Sequence, residues 1–372
     1  MTNNSWFHAA AWRNRLAMAA GAVCVLAFST RAIASGPAAT DSFKVLAPIV
    51  RGNLAIFPVV ANRTFDTAGF MTLDGGVHSG QVIVTEAGDE RGLVRPGQAI
   101  PPRQGAEVNR LLLYNNSSHP LLLLAGEIVT GGKQDRVIGS DRIVPANTGP
   151  IDLGVFCVEP GRWVGASSKF GSMGVQMAQP SVRIPAMAER NQLQVWASVR
   201  KSNAEIAGNL SAPEAAAVAG TTSYAKVFQS APVEKKVAGY GGDEAEQGIL
   251  HELRARNATG VVVAVNGEIV WADVFASTDL LATYWPKLLR SYVAEAMTSG
   301  KNGGTADLHQ ADLYIQRLTG GREIVETEPG IYRRTEISGD DYRVFELTSL
   351  LPSTGFTVHI AKMREQSLNP ME

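Results

Sequence analysis

Short apolar runs separated by turn-forming residues fill the chain from about Phe43 to Ile184. Clusters such as Asp74-Gly75-Gly76 and Asn115–Ser118 separate the runs, and their length and flanks are typical of β-strands. The runs that predict strands are Leu54–Val60, Gln81–Glu86, Arg110–Asn115, Leu121–Leu124 and Ile151–Val158.

Apolar positions recur at helical spacing after Pro185. A helix is predicted up to Asn209, and the polar, Ala- and Gly-rich tract 211–242 predicts part helix and part loop. Further helices are predicted over Asp243–Arg256, Leu280–Met297 and Ala306–Leu318. Ser277-Thr278-Asp279 supplies the N-terminal cap of the second of these, and Pro286 predicts a kink in it.

A hairpin is predicted between two of these helices. Gly260–Asn266 and Glu268–Phe275 flank an Asn-Gly turn, a strong local hairpin signal. Tyr342–Leu347 and Gly355–Ile360 predict two more strands. The order of elements predicts an α+β fold, with a β-rich N-terminal half packed with a helix-and-hairpin C-terminal half.

The N-terminus has the three parts of a secretory signal peptide. Arg13 and Arg15 precede an apolar run of thirteen residues, Leu16–Phe28, and Ala32-Ile33-Ala34 predicts cleavage before Ser35. The apolar run is shorter than the roughly 20 residues of a membrane span. We therefore expect export to the periplasm or the medium, with an uncleaved anchor as the alternative.

Removal of residues 1–34 leaves a mildly acidic chain. The remaining 31 basic and 35 acidic side chains give a net charge of −4, which argues against nucleic acid or an anionic membrane as the main partner. No later apolar run is long enough to span a membrane. Cys157 is then the single cysteine, so no disulfide can form within the chain.

The segment from Ala125 to Trp163 has the densest mixture of residue types that carry chemistry. Gly131 and Gly132 permit a tight turn whose amides could cradle an anion. A nucleotide-binding P-loop is excluded by spacing, because five residues separate Gly126 from Gly132-Lys133 and Gln134 stands where Ser or Thr is needed. The alternative is a plain hairpin turn with solvated or paired charges.

Two sets of candidate site residues follow from this segment. Glu127 and Glu159 are candidates for acid–base catalysis. The candidates for ligand binding are Gly131, Gly132, Lys133, Gln134, Asp135, Arg136 and Arg162. Cys157 fits a core strand better than a nucleophile because its neighbours are apolar. The histidines after residue 34 are scattered, so no metal site and no cofactor is predicted.

The same segment resembles a known bacterial family. Gly126-Glu127, Gly132–Arg136, Val144-Pro145 and Cys157–Trp163 are similar to the domain named for its association with ARG, rhodanese and phosphatase-superfamily proteins. Val265–Asp273 and Tyr284–Tyr292 resemble it as well, and the likeness extends over about residues 43–362. The resemblance implies one family domain after a linker at 35–42, with possible lobes 43–185 and 186–362 and a tail at 363–372. It brings no established substrate or catalytic residues. Trp163 stands where the Cys-x5-Arg loop of phosphatases needs Arg, which counts against the phosphatase mechanism.

Three functions remain open at this stage. The favoured one is a module that binds a small polar or anionic ligand, or a protein partner, through Gly131–Arg136. A metal-independent hydrolase or transferase that uses Glu127 or Glu159 with Lys133 and Arg136 is the second, and a structural envelope protein is the third. No complete nucleophile–base pair is visible in the sequence, which favours binding over catalysis.

Overall fold

The largest sheet joins strands from the two ends of the chain. It is seen in a computed structural model, which describes residues 42–86, 110–161, 167, 169–299 and 304–364. The strands in these ranges are β1 (Phe43–Val45), β2 (Ile49–Arg51), β3 (Leu54–Ala61), β4 (Met71–Thr72), β5 (Val82–Glu86), β6 (Arg110–Asn115), β7 (Leu121–Leu123), β8 (Glu127–Thr130), β9 (Arg136–Ile138), β10 (Arg142–Val144), β11 (Thr148–Cys157), β12 (Gly171–Met177), β13 (Gly260–Val265), β14 (Glu268–Phe275), β15 (Arg322–Glu328), β16 (Tyr332–Ser338), β17 (Tyr342–Ser349) and β18 (Thr357–Arg364).

The helices in the same ranges lie mainly between β12 and β15. They are α1 (Leu73–His78), α2 (Pro180–Met187), α3 (Gln192–Gly208), α4 (Ala212–Ala219), α5 (Tyr224–Phe228), α6 (Ala231–Ala238), α7 (Gly242–Ala255), α8 (Thr278–Thr298) and α9 (Leu308–Gln316). Together with the sheets they make a mixed α+β fold. No helix in the described part of the chain is long and apolar enough to cross a membrane.

The large sheet has the order β1-β3-β13-β14-β18-β17-β16-β15, with β2 also paired to β3. All of its pairings are antiparallel. Two smaller sheets have the orders β10-β7-β4 and β12-β8-β9-β11-β6-β5. Strands from the first part of the chain therefore contribute to all three sheets.

The middle of the large sheet is buried on both faces. In β13, Val261, Val263 and Val265 join one apolar cluster, whereas Val262 and Ala264 join another. This arrangement explains why β13 reads as a continuous apolar run and not as an alternating one. Helix α8 packs against β13 and β14 on the first side, and α9 contributes Ala311 to the cluster on the second.

Helix α8 is the central element of the core. It contacts β3, β12, β13 and β14 as well as α2, α3, α6 and α7, and Tyr284, Trp285 and Tyr292 on it are fully buried. The predicted cap is present, because the Ser277 hydroxyl accepts a hydrogen bond from Leu280 N at 3.0 Å. The helix runs through Pro286 without ending.

Several sequence predictions are confirmed and others need correction. The Asn-Gly hairpin is confirmed, with Asn266 at φ 52° and Gly267 at φ 83°. The single helix predicted over 185–209 is wrong: the chain breaks into α2 and α3, since Arg190 adopts φ 48° and Asn191 caps α3 through its side chain. Strands β15 and β16 were not predicted.

Gly260 fixes the close approach of β13 and β14. A Cβ on Gly260 would lie 2.5 Å from Asp273 O and 2.7 Å from Val274 Cα, which are backbone atoms that cannot rotate away. We expect Gly260→Ala to lower the free energy of unfolding by about 2 kcal/mol, the usual cost of overpacking. Urea unfolding followed by circular dichroism measures this change.

Gly248→Ala in α7 is the matched control. A Cβ there meets nothing within 4 Å, so alanine should stabilise the helix by about 0.5–1 kcal/mol. Equal effects of the two substitutions would contradict the role assigned to Gly260.

Candidate functional site

The predicted Gly131–Arg136 turn connects β8 and β9, and its amides do bind anions. Gly131 N donates to Asp135 Oδ1 at 3.2 Å, Lys133 N to Glu86 Oε1 at 2.7 Å, and Asp135 N to Glu159 Oε2 at 3.2 Å. These anions are the protein's own carboxylates. The anion-binding amides of the turn are therefore occupied by carboxylates of the same chain.

Cations from two elements balance these carboxylates. Lys133 Nζ lies 3.3 Å from Glu86 Oε2, and Lys226 Nζ of α5 lies 3.9 Å from Glu159 Oε1. Asp135 also accepts a hydrogen bond of 2.8 Å from the Ser223 hydroxyl. The candidates Lys133, Asp135 and Glu159 thus lie in one charged cluster.

Cys157 lies under this cluster as a buried thiol. Its Sγ donates to Gln134 Oε1, while Gln134 Nε2 donates to Glu159 O at 3.1 Å. Burial raises the pKa of Cys157 to about 11, and the nearby Arg136 only partly opposes this shift. The thiol is therefore protonated at neutral pH, and a thiolate nucleophile is not favoured.

Glu127, the other catalytic candidate, belongs to a different cluster. Its Oε1 lies 2.6 Å from Lys287 Nζ and its Oε2 accepts a hydrogen bond from Leu124 N at 2.8 Å. Asp74 Oδ2 also contacts Lys287 Nζ. Burial raises the pKa of Glu127 even though Lys287 acts in the opposite direction. The length of β8, four residues at about 3.3 Å each, separates Glu127 from the turn.

The remaining ligand-binding candidate, Arg162, lies outside the described residues.

A third charged cluster, which the sequence analysis missed, is centred on His359 of β18. His359 Nδ1 lies 2.6 Å from Asp141 Oδ2, and Nε2 lies 3.1 Å from Asp273 Oδ1 on the neighbouring strand β14. Both ring nitrogens must donate a proton to make these bonds. Burial alone would lower the pKa of His359, but Asp141 and Asp273 outweigh it and raise the pKa to about 9.

Arg183 of α2 extends this cluster by a bidentate ion pair. Its NH1 and NH2 lie 3.1 and 3.2 Å from the two oxygens of Asp273, and its guanidinium lies 4.2 Å from the ring centre of Trp271. The Tyr292 hydroxyl donates to Asp273 at 2.5 Å. Burial alone would raise the pKa of Asp273, but the positive charge of Arg183 outweighs burial. The pKa of Asp273 is therefore lowered.

Gly126 makes room for Arg183. A Cβ at this position would lie 2.8 Å from Arg183 Nε, and the φ of 96° also favours glycine. Gly126, which belongs to the family motif, therefore provides the space for the fully buried guanidinium of Arg183.

Asp141 connects the buried charges to a surface cleft. One of its oxygens accepts from Ala125 N at 2.7 Å and the other contacts His359, so the carboxylate is held in place. The cleft is open to solvent, and the space between its walls is about 30 Å³, enough for about one water-sized group. Its lining residues are Gly139, Ser140, Asp141, Met187, Arg190, Ile324, Glu326, Arg334, Thr335, Glu336, Phe345 and Glu346.

Glu346 is a second buried carboxylate in this cleft. Its Oε1 accepts hydrogen bonds from Thr348 Oγ1 at 3.0 Å and Thr357 Oγ1 at 2.6 Å. Within the described ranges no residue donates to its Oε2. Glu346 therefore has an oxygen available to a ligand that enters the cleft.

Ion pairs fix the walls of the cleft. Arg190 lies 3.4 Å from Glu326 and 3.7 Å from Glu336, and Arg334 contacts both Glu326 and the Ser140 hydroxyl. Four acidic and two basic residues line the cleft, so acceptors for hydrogen bonds predominate. No group of three or more His, Cys, Asp or Glu in the described ranges could hold a metal ion.

One sequence signal could have located this third cluster. Asp273 and His359 each interrupt an apolar strand, in Val-Trp-Ala-Asp-Val-Phe and Thr-Val-His-Ile-Ala. A charged residue at a core position needs a buried partner. The two interruptions together indicate that Asp273 and His359 are partners in the core.

The raised pKa of His359 predicts a pH-dependent contribution to stability. Folding raises this pKa from 6.5 to about 9, so the stabilisation is complete below pH 6.5 and is lost as the pH rises through 9. The destabilisation caused by His359→Gln should therefore be about 3 kcal/mol smaller at pH 9.5 than at pH 6. Urea unfolding of both proteins at the two pH values measures it.

His251→Gln, an exposed position on α7, is the control and should show no such difference. A destabilisation by His359→Gln that stays constant between pH 6 and 9.5 would show that the folded protein does not hold His359 protonated.

One sequence family covers nearly all of the described residues. The ARG and Rhodanese-Phosphatase-superfamily-associated Protein domain matches residues 42–362, which is most of the chain. No curated protein and no solved structure matches this chain. The chain belongs to the family of ARG and Rhodanese-Phosphatase-superfamily-associated Protein domains, as the motifs around Gly126–Trp163 implied.

Proposed function

We propose that the protein binds a small polar ligand in the cleft beside Asp141. The observation that carries this proposal is the fixed carboxylate of Asp141, which lines the cleft and is joined through His359 to Asp273 and Arg183. The ligand would contact Asp141, the outermost member of a row of alternating negative and positive charges that continues through His359 and Asp273 to Arg183.

The cost of burying these charges supports a role beyond stability. Taking four ionised groups out of water costs several kcal/mol per group, and apolar side chains of the same volume often stabilise a core as well or better. Buried charges with shifted pKa values beside a cleft are typical of functional sites.

The lining of the cleft favours a ligand with hydrogen-bond donors. Glu346 offers a carboxylate oxygen beside the fixed carboxylate of Asp141, while Arg190 and Arg334 are already paired with acidic neighbours. A ligand that carries hydroxyl groups and an amine, such as an amino sugar, fits this chemistry, and it would insert one of these groups into the cleft while its remainder stays at the mouth. An inorganic anion fits it less well.

A second candidate is a hydrolase or transferase that uses the same cleft. Two carboxylates in different surroundings can divide the tasks of acid and base. Asp141 lies against protonated His359, and Glu346 lies between two threonine hydroxyls. This version of the enzyme hypothesis replaces Glu127 and Glu159 with Asp141 and Glu346 as the acidic pair.

Ligand binding at the Gly131–Arg136 turn remains a separate prediction. An external anion would have to displace the carboxylate of Glu86 from Lys133 N or that of Asp135 from Gly131 N. Because those internal bonds are already made, the cleft beside Asp141 is the stronger candidate. Lys133, whose side chain is 37% exposed, is the residue that separates the two sites experimentally.

Ligand binding in the cleft predicts a thermal shift that depends on Glu346. Glucosamine at 10 mM should raise the melting temperature of the protein by about 2–4 °C, as expected for about 1.4 kcal/mol from a ligand at ten times its Kd. Glu346→Gln should abolish the shift while keeping the Thr357 bond. Glucose, putrescine and inorganic phosphate complete the probe set.

Lys133→Ala is the matched control and should leave the glucosamine shift unchanged. A shift with phosphate that disappears in Lys133→Ala would instead support the turn. No shift with any probe, or equal shifts in wild type and Glu346→Gln, would reject the cleft. Hydrolysis of methyl glucosaminide to glucosamine and methanol, followed by NMR, would favour the enzyme.

We also propose that the protein acts outside the cytoplasm, after removal of residues 1–34. The charged, apolar and small-residue regions of this segment support the proposal. A compartment without a nucleotide supply is compatible with a ligand-binding role.

Export predicts a mature N-terminus at Ser35. Intact-mass spectrometry of the periplasmic fraction and the medium should find a chain that lacks residues 1–34, and Ala34→Lys should block its formation because the peptidase needs a small residue there. Ala38→Lys, beyond the cleavage site, should be processed normally. A full-length chain confined to the cytoplasm would overturn this proposal.

A further inference from the structure

Strand β15 ends the large sheet and leaves a long edge. Its seven residues, Arg322–Glu328, all pair with β16 on one side, and no other strand in the described ranges pairs with its outer side. The opposite end of the sheet stops at β1, which has three residues and an exposed Lys44. Short edges with a lysine discourage further pairing, whereas long edges permit it.

Apolar side chains are exposed on β15. Ile324 is 43% exposed and Val325 is 53% exposed. They are among the few large apolar residues that the described surface leaves accessible. An unpaired edge with exposed apolar residues is a ready template for a further strand.

We propose that this edge pairs with β15 of a second copy of the chain, antiparallel about a two-fold axis at Val325. In this register Val325 meets Val325 of the second copy, and Arg322 lies opposite the second copy's Glu328. Symmetry repeats the Arg–Glu pair, so the dimer gains two opposite-charge pairs. Cross-strand pairs of this kind stabilise a sheet.

The length and the charges of β15 together select this register over its neighbours. Two identical antiparallel strands shift in steps of two residues, because opposite residues must both turn their N–H and C=O groups towards the partner strand or both away from it. The register centred on Ile324 pairs only five of the seven residues, and the register centred on Glu326 also pairs five and places Glu326 opposite Glu326 of the second copy. Like charges directly opposite destabilise an antiparallel pair. The register centred on Val325 pairs all seven residues and places no like charges opposite each other.

The proposed dimer goes beyond the ligand-binding function and reaches the cleft. Ile324 and Glu326 line that cleft, and in the proposed register each lies opposite the other in the second copy. The two clefts would then lie on either side of the dimer axis, with the second copy's residues at each rim.

Pairing of one strand buries less surface than the roughly 1,600 Å² of a standard stable interface. We therefore expect a reversible dimer with a Kd on the order of 10 μM. Sedimentation velocity of the full protein over a concentration range on both sides of that value should show a concentration-dependent monomer–dimer equilibrium.

Charge reversal tests the register. Arg322→Glu and Glu328→Arg each place like charges opposite each other, so each should raise the Kd at least fivefold. The double variant restores opposite charges and should return the Kd to within twofold of wild type. Circular dichroism checks that each variant folds.

Lys44→Glu at the other edge is the control and should leave the Kd unchanged. A monomer at all concentrations would overturn the proposal and leave the edge to another segment or partner. A dimer that is insensitive to Arg322→Glu, or sensitive to Lys44→Glu, would overturn it as well. So would failure of the double variant to recover.

Discussion

Asp273 is the residue on which the arrangement of the elements depends. Its two oxygens bind Arg183 from α2, His359 from β18 and the Tyr292 hydroxyl from α8, and it lies itself on β14. A single buried carboxylate thereby connects a helix, two adjacent strands and the central helix. Each partner neutralises or solvates the charge, and none of them could be removed without leaving another unpaired.

His359 carries this constraint across to the smaller sheets. Through Asp141 it reaches the connection between β9 and β10, where Ala125 N holds the same carboxylate. The ring also lies 4.5 Å from that of Phe275. Charge and packing thus fix the position of Asp141 relative to the large sheet, and a cleft whose floor is fixed in this way is suited to selective recognition.

Local sequence signals predicted much of the fold, but not the site. The Asn266-Gly267 turn and the Ser277 cap depend on residues close in the chain, and both are present. The contact between His359 and Asp141 spans 218 positions and that between His359 and Asp273 spans 86. Periodicity carries no information about partners so far apart.

The turn at Gly131 shows the same limit at a functional level. Its glycines, charges and exposed amides were recognisable, and the amides do bind carboxylates. The sequence could not reveal that Glu86, 47 positions before Lys133, supplies one of them. An anion-binding motif can therefore serve the fold itself, and only the position of distant acids decides between that role and ligand binding. Beside Asp141 the balance differs, because Glu346 keeps one oxygen without a donor among the described residues, so a ligand there would add a bond and displace none.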